Sequence, residues 1–185
     1  RSEFATAYTP YQPEVAQGSL TAIFEFQSLI AELTGMEVAN ASMYDGATAT
    51  VEAVLLARHQ SGRARVVVAG AIHPHIADVL RTYLDPREVT MVADRVGQAA
   101  PEDVQSALGS DAACVVYQYP NFFGLLESPH ALHQVAHAAG ALAVAVCDPI
   151  ALALLDPPGR ATADGQRGAD LVVGEAQCLG NAPSF

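Results

Sequence analysis

Three turns, each following an apolar run, hold the side chains of this protein best suited to chemistry. The first is Tyr44-Asp45-Gly46-Ala47-Thr48-Ala49-Thr50. Small residues let backbone N–H groups approach a ligand, and the helix they open favours an anion at its N-terminus. Gly46, Ala47 and Thr48 therefore read either as a phosphate seat, with the Thr48 hydroxyl as an added donor, or as an Asp/Gly turn with helix capping. The second is His73, which follows the apolar run from Arg65 to Ala69 and precedes Pro74. Its imidazole can lie against a planar ring, or simply cap the helix. The third is Asp148, directly after Ala143-Val144-Ala145-Val146-Cys147. A carboxylate closing a buried strand needs a partner. A protonated ring nitrogen, a helix N-terminal amide or an arginine would serve.

Two further clusters carry less. His130, His133 and His137 share a helical face, and His133 and His137 have the i, i+4 spacing of a zinc motif. Gln134 stands where the catalytic Glu of the metalloprotease pattern belongs, so the histidines read as a helix face and no metal is expected. Glu102 and Asp103 fall in a helix first turn, where acids complement the macrodipole.

Composition narrows the function classes. The 185 residues suit one domain, and 51% of them are hydrophobic, enough for a sizeable core. The formal charge of −11 argues against nucleic acid and against an anionic membrane surface, since both require clustered cations. All nine basic residues are arginines. There is no lysine, so the chain alone cannot bind an aldehyde cofactor covalently through a side-chain amine. Three cysteines without a C-x-x-C pair argue against a disulfide scaffold and for a reducing cytoplasm. Cys114 and Cys147 sit in apolar runs and read as small buried hydrophobes. No signal peptide and no membrane-spanning run is evident. The abrupt ends read as those of a piece of a longer protein.

The elements that position the three turns follow from periodicity. Residues 1–18, with Pro10 and Pro13, read as extended. The remainder, 19–185, reads as most of one large domain. Helical spacing runs from Leu20 to Leu33, with Ser19 as cap and Gly35 as terminator. A short strand is expected at Val38–Ala41 and a helix from Ala47 to His59. Strands then follow at Arg65–Ala69, Glu88–Ala93, Ala113–Gln118, Ala141–Cys147 and Asp170–Val173. Helices lie between them at Pro74–Tyr83, Pro101–Leu108 and Ser128–Ala139. This alternation predicts an α/β fold: three layers with a mostly parallel sheet covered on both faces. Functional residues then gather at the carboxyl ends of the strands. Small-residue loop, His and strand-end Asp come in the order of the phosphate, ring and ring-nitrogen contacts of pyridoxal-phosphate enzymes of the aminotransferase-like class (fold type I).

Longer motifs make a sharper match. Thr6-Ala7-Tyr8-Thr9-Pro10-Tyr11-Gln12-Pro13-Glu14-Val15 with Gln17-Gly18, Phe24-Glu25-Phe26-Gln27 and Leu33-Thr34-Gly35-Met36 resemble glycine dehydrogenase (decarboxylating), the P-protein of the glycine cleavage system. So do the stretch from Val38 to Ala49, Gln118-Tyr119-Pro120-Asn121-Phe122-Phe123-Gly124, Asp148-Pro149 and Ala169-Asp170-Leu171-Val172-Val173-Gly174-Glu175. Tyr44-Asp45-Gly46 is similar to subunit 1 of the two-subunit form. The resemblance implies an oxidoreductase subunit that supports decarboxylation of glycine and transfer of the aminomethyl group to the lipoyl carrier H-protein. It implies that pyridoxal phosphate is held covalently by a homologous, lysine-bearing subunit 2. The lysine would follow the strand matching Leu171–Val173, where this chain has Glu175-Ala176-Gln177-Cys178-Leu179-Gly180. No catalytic residue is then expected here. Tyr8, Thr9, Tyr11 and Gln12 would reach the shared active site, and Gly46, Ala47, Thr48, His73 and Asp148 would form a relic cofactor pocket. The alternatives are a self-sufficient pyridoxal-phosphate enzyme whose lysine lies beyond Phe185, and a purely structural partner.

Overall fold

The computed structural model of the protein describes residues 11–181. Tyr8 and Thr9 lie outside the described residues. Five strands form one sheet: β1 (Arg65–Ala69), β2 (Val89–Val92), β3 (Ala112–Tyr119), β4 (Leu142–Cys147) and β5 (Leu171–Gly174). Their order is β2-β1-β3-β4-β5, and every pairing is parallel. Among the described residues five α-helices accompany them: α1 (Gln17–Thr34), α2 (Gly46–Ser61), α3 (Pro74–Tyr83), α4 (Pro101–Leu108) and α5 (Pro129–Ala138).

Strand alternation divides the core into two layers. Val66, Val68, Cys114, Val116, Val144 and Val146 face Val51, Val54 and Ala57 of α2 and Ile76 and Leu80 of α3. On the other side, Val67, Ala69, Val115, Tyr117 and Ala145 meet Val104 and Leu108 of α4 and Leu132 and Ala136 of α5. Both faces of the sheet are buried, as the Val/Ala runs predict. Arg63 ties the amino ends together, its Nη1 donating to the carbonyls of Ala112, Ala139 and Gly140 at 3.2, 2.9 and 3.1 Å.

Three local expectations change. The strand expected at Val38–Ala41 is irregular backbone, and Val38 is 82% exposed. No neighbouring strand pairs with it among the described residues; the Gln27 side-chain amide donates to Ala39 O at 2.6 Å instead. α1 begins at Gln17, capped by Ala16 without a side-chain bond, so Ser19 is no cap and Gly18 sits in the first turn. Ser128 precedes α5 but makes no side-chain cap bond. Gly35 does end α1, in the left-handed conformation with φ 73°. α1 itself buries only Thr34 and leaves Phe24 and Leu29 exposed.

The α5 histidines enter the core individually. His133 is fully buried, its Nε2 2.7 Å from the Tyr117 hydroxyl, while its Nδ1 has no hydrogen-bond partner. Burial, aided by the neighbouring His137 and His130, lowers its pKa to about 4. His137 Nε2 lies 2.8 Å from Asp170 Oδ2, which also accepts from Ala143 N at 2.8 Å.

A pH dependence of stability follows. The unfolded chain protonates His133 near its ordinary value of 6.5, whereas the folded chain resists until about 4. Stability is therefore full above pH 6.5 and falls as pH drops towards 4, by roughly 3 kcal/mol from this group. Urea unfolding of the wild type and of His133→Gln across that range measures it. The stability difference between the two should shrink by that amount on acidification.

Candidate functional site

All five strands point their carboxyl ends to one rim, and the α2 and α3 N-termini open there. α2 starts at that rim with a reciprocal cap. Thr48 N and Thr48 Oγ1 both donate to Asp45 Oδ1 at 2.7 Å, and Asp45 N donates to Thr48 Oγ1 at 3.2 Å. These bonds from the Thr48 amide and hydroxyl hold the Asp45 carboxyl below its ordinary value. Gly46 N donates to Glu175 Oε1 at 2.7 Å, across from the end of β5. A Cβ at Gly46 would stand 3.0 Å from Glu175 Cγ and Oε1, so only glycine admits the carboxylate without displacement.

His73 caps α3. Its Nδ1 accepts from His75 N at 3.1 Å, and its own N–H donates to Gln118 Oε1 at 2.7 Å. Its ring meets Phe122 edge-on at a centroid distance of 5.2 Å. Among the readings open for His73, helix capping is the one the structure realises. β1 and β3 are the neighbours where the strand order reverses, the point at which open α/β sheets commonly seat ligands. There the Gln118–His73 bond and the bond from Phe122 N to Ala71 O (2.9 Å) close the backbone together.

Asp148 is exposed rather than buried. Its Oδ1 accepts from Ile150 N at 2.9 Å, with Cys178 Sγ at 4.0 Å. The strand has ended by this residue and the chain turns to solvent, so water and a local amide satisfy the carboxylate. Tyr11 is 83% exposed and Gln12 also faces solvent, its carbonyl accepting from Val15 N at 3.2 Å.

The rim thus gathers Gly46, Ala47 and Thr48 with Glu175, and Asp148 with Cys178. His73 is tied instead to Gln118 and Phe122. Glu175, Gln118, Asn121 and Glu127 carry this arrangement, and none stands out by spacing. Buried Asn121 donates to Gly97 O (3.0 Å) and Glu127 Oε1 (2.9 Å), and accepts from the amides of Phe123 and Leu125 (both 3.0 Å). Glu127 Oε2 takes the Ala99 amide at 3.1 Å. These bonds fix the loop that presents Phe122 and Phe123, 42% and 65% exposed, beside His73. The signal for Asn121 and Glu127 was their polarity within an otherwise apolar motif.

Pyridoxal phosphate does not fit these residues. There is no lysine, the first amides of α2 are taken by Glu175 and Asp45, and Asp148 is turned to its own loop. The turn after β5 is a 3-10 helix, Ala176–Leu179. A cavity of about 280 Å³ lies at the opposite rim, lined by Gln60, His137, Arg167 and Asp170 among others, away from all of these groups. Among the described residues no helix is long and apolar enough to cross a membrane.

The parallel sheet with helices on both faces has the α/β architecture found in the large domain of pyridoxal-phosphate enzymes of fold type I. Mouse CSAD shares this fold at a TM-score of 0.70 over 90% of the chain and 40% of its own, with 18% identity. The family model "Glycine cleavage system P-protein" matches residues 1–185, and the chain belongs to that family. "Probable glycine dehydrogenase (decarboxylating) subunit 1" of Thermomicrobium roseum is 53% identical over all of this chain and 41% of its own length. The protein of the same name from Desulfitobacterium hafniense is 49% identical, again over 100% and 41%. A crystal structure of glycine decarboxylase (P-protein) of the glycine cleavage system, in inhibitor-bound form, superposes with a TM-score of 0.86 at 48% identity, over 100% of this chain and 40% of that one. The chain thus spans about two fifths of the relatives it matches.

Two measurements probe the rim. Asp45→Ala removes the α2 cap and should cost about 1 kcal/mol at neutral pH. Because the Asp45 pKa is lowered, that contribution is present above the unfolded value of 3.8 and lost as pH falls below it, so wild type and variant should converge in acid unfolding. Burial raises the thiols of Cys114 and Cys147 to about 12, whereas Cys178 is exposed. A thiol reagent should titrate one cysteine in the native chain and all three in denaturant.

Proposed function

We propose that the parent of this chain is the non-lysine subunit of a glycine decarboxylase. It supports decarboxylation of glycine and passage of the aminomethyl group to the lipoyl arm of a carrier H-protein. The homologous lysine-bearing subunit holds pyridoxal phosphate, which supplies the electron sink for the chemistry. This chain's residues form the neighbouring wall of a shared site, and the assembly works in the cytoplasm, where its free thiols stay reduced.

One observation carries this reading. The place where a fold-type-I enzyme would receive the cofactor is filled from within, by Glu175 on the Gly46 amide, while the turn after β5 has no lysine. A domain of this fold with its own seat closed is suited to completing a partner's site. The relic residues Gly46, Ala47, Thr48, His73 and Asp148 then hold the rim's shape. Tyr8, Thr9, Tyr11 and Gln12 are assigned to the substrate side. For Tyr11 and Gln12 the support is exposure, which leaves both available to a second surface.

The assay is release of carbon dioxide from glycine by the purified lysine-bearing subunit and carrier protein, with and without the full-length parent of this chain. Turnover should require both subunits, and full turnover without the parent overturns the reading. Tyr11→Phe in the assembled enzyme should raise KM for glycine several-fold with little change in kcat. Unchanged constants would assign Tyr11 to a structural strap.

A further inference from the structure

We propose that Glu175 is a built-in stand-in for the cofactor's phosphate, a carboxylate delivered from the end of β5 that closes the anion seat at the α2 N-terminus. The proposal deepens the reading that this chain has ceded pyridoxal phosphate to its partner, and rests on it.

The first amides of α2 can be accounted for in turn. Gly46 N donates to Glu175 Oε1 (2.7 Å) and Thr48 N to Asp45 Oδ1 (2.7 Å). Ala49 N donates to Asp45 O at 2.9 Å. Two of the first-turn amides that would cradle an external anion, those of Gly46 and Thr48, are therefore engaged by carboxylates. The helix places no acidic residue of its own in the first turn, so both carboxylates come from outside it. Gly46, Ala47, Ala49 and Thr50 are buried, so an amide left there without an acceptor would be expensive. Among the described residues, no arginine pairs with Asp45 or Glu175 in a salt bridge. Their negative charge at the seat would repel a phosphate dianion. The contact has a structural effect as well. It joins the start of α2 to the end of an edge strand 129 residues later.

The experiment uses the full-length parent assembled with its cofactor-loaded partner, so that the partner's seat is filled. Inorganic phosphate is titrated against wild type, Glu175→Ala and Glu175→Gln, with chloride at matched ionic strength as the control. Readouts are the thermal unfolding midpoint and phosphorus NMR line width. Wild type should not respond. Glu175→Ala should unfold at a lower temperature, recover with phosphate, and bind it about tenfold or more tightly than wild type, as expected when a helix N-terminus loses its counter-charge. Should Glu175→Ala fail to assemble, Glu175→Gln decides. Its neutral carbonyl keeps the Gly46 bond but not the charge, and its phosphate affinity should still rise above wild type. Variants that phosphate shifts no more than it shifts wild type overturn the proposal. The two readings fail separately. A partner fully active alone overturns the proposed function and leaves these shifts in place, whereas unresponsive variants overturn the stand-in whatever the glycine assay gives.

Discussion

Five parallel strands buried on both faces impose one constraint from which the rest follows. A parallel strand can be continued only through a crossover; here α3, α4 and α5 make three of them on the faces of the sheet, and a loop with a 3-10 turn at Ala151–Ala153 makes the one from β4 to β5. Every strand then delivers its carboxyl end to the same rim, and the helices α2 and α3 open beside it. The interior is Val, Ala, Leu and a few aromatics, with little room for polar chemistry. The polar residues at the rim are those that the chain must place somewhere once its strands end. Asp148, Gln118, His73 and Glu175 share that location because of topology, whatever each one does.

Much of this was legible in the residues. The runs at Arg65–Ala69, Pro74–Tyr83 and Pro101–Leu108 have the bounds that periodicity and N-terminal proline imply, because each lies wholly in the core or on its surface and nothing competes with local preference. The apolar run at Val38–Ala41 was misleading for a tertiary reason: an apolar stretch becomes a strand only beside another strand, and none pairs with it among the described residues. The candidate site was legible as positions and not as pairings. Spacing places Gly46 and Thr48 at a helix start, but it cannot show that an acid far along the chain turns back to meet them. Asp148 was expected to be buried because β4 is; one residue past the strand, the burial has ended.

On the proposal that Glu175 replaces a phosphate, the electrostatics of α2 account for how a ligand-binding fold would persist without its ligand. A helix N-terminus needs negative charge and hydrogen-bond acceptors, and is indifferent to whether a bound anion or a side chain supplies them. An external anion must be immobilised from solution, whereas Glu175 is already tethered and loses only side-chain freedom. Geometry built for a phosphate can in this way outlast the phosphate. On the proposed function, family membership and the absence of lysine from this chain are compatible.

The Glu175–Gly46 bond also has a temporal side. Its two ends are separated by 129 residues. At a synthesis rate of roughly 5–20 residues per second, the first amide of α2 emerges on the order of ten seconds before its acceptor exists. Asp45 and Thr48 lie within the same turn and can cap the helix at once. Glu175 cannot, and β5 cannot pair until β4 is in place beside it. The nascent domain therefore passes through an interval in which β5 is unpaired and one amide of α2 is open to any small anion in solution. Pairing of β5 with β4 ends that interval, because it brings residue 175 to the first amide of α2.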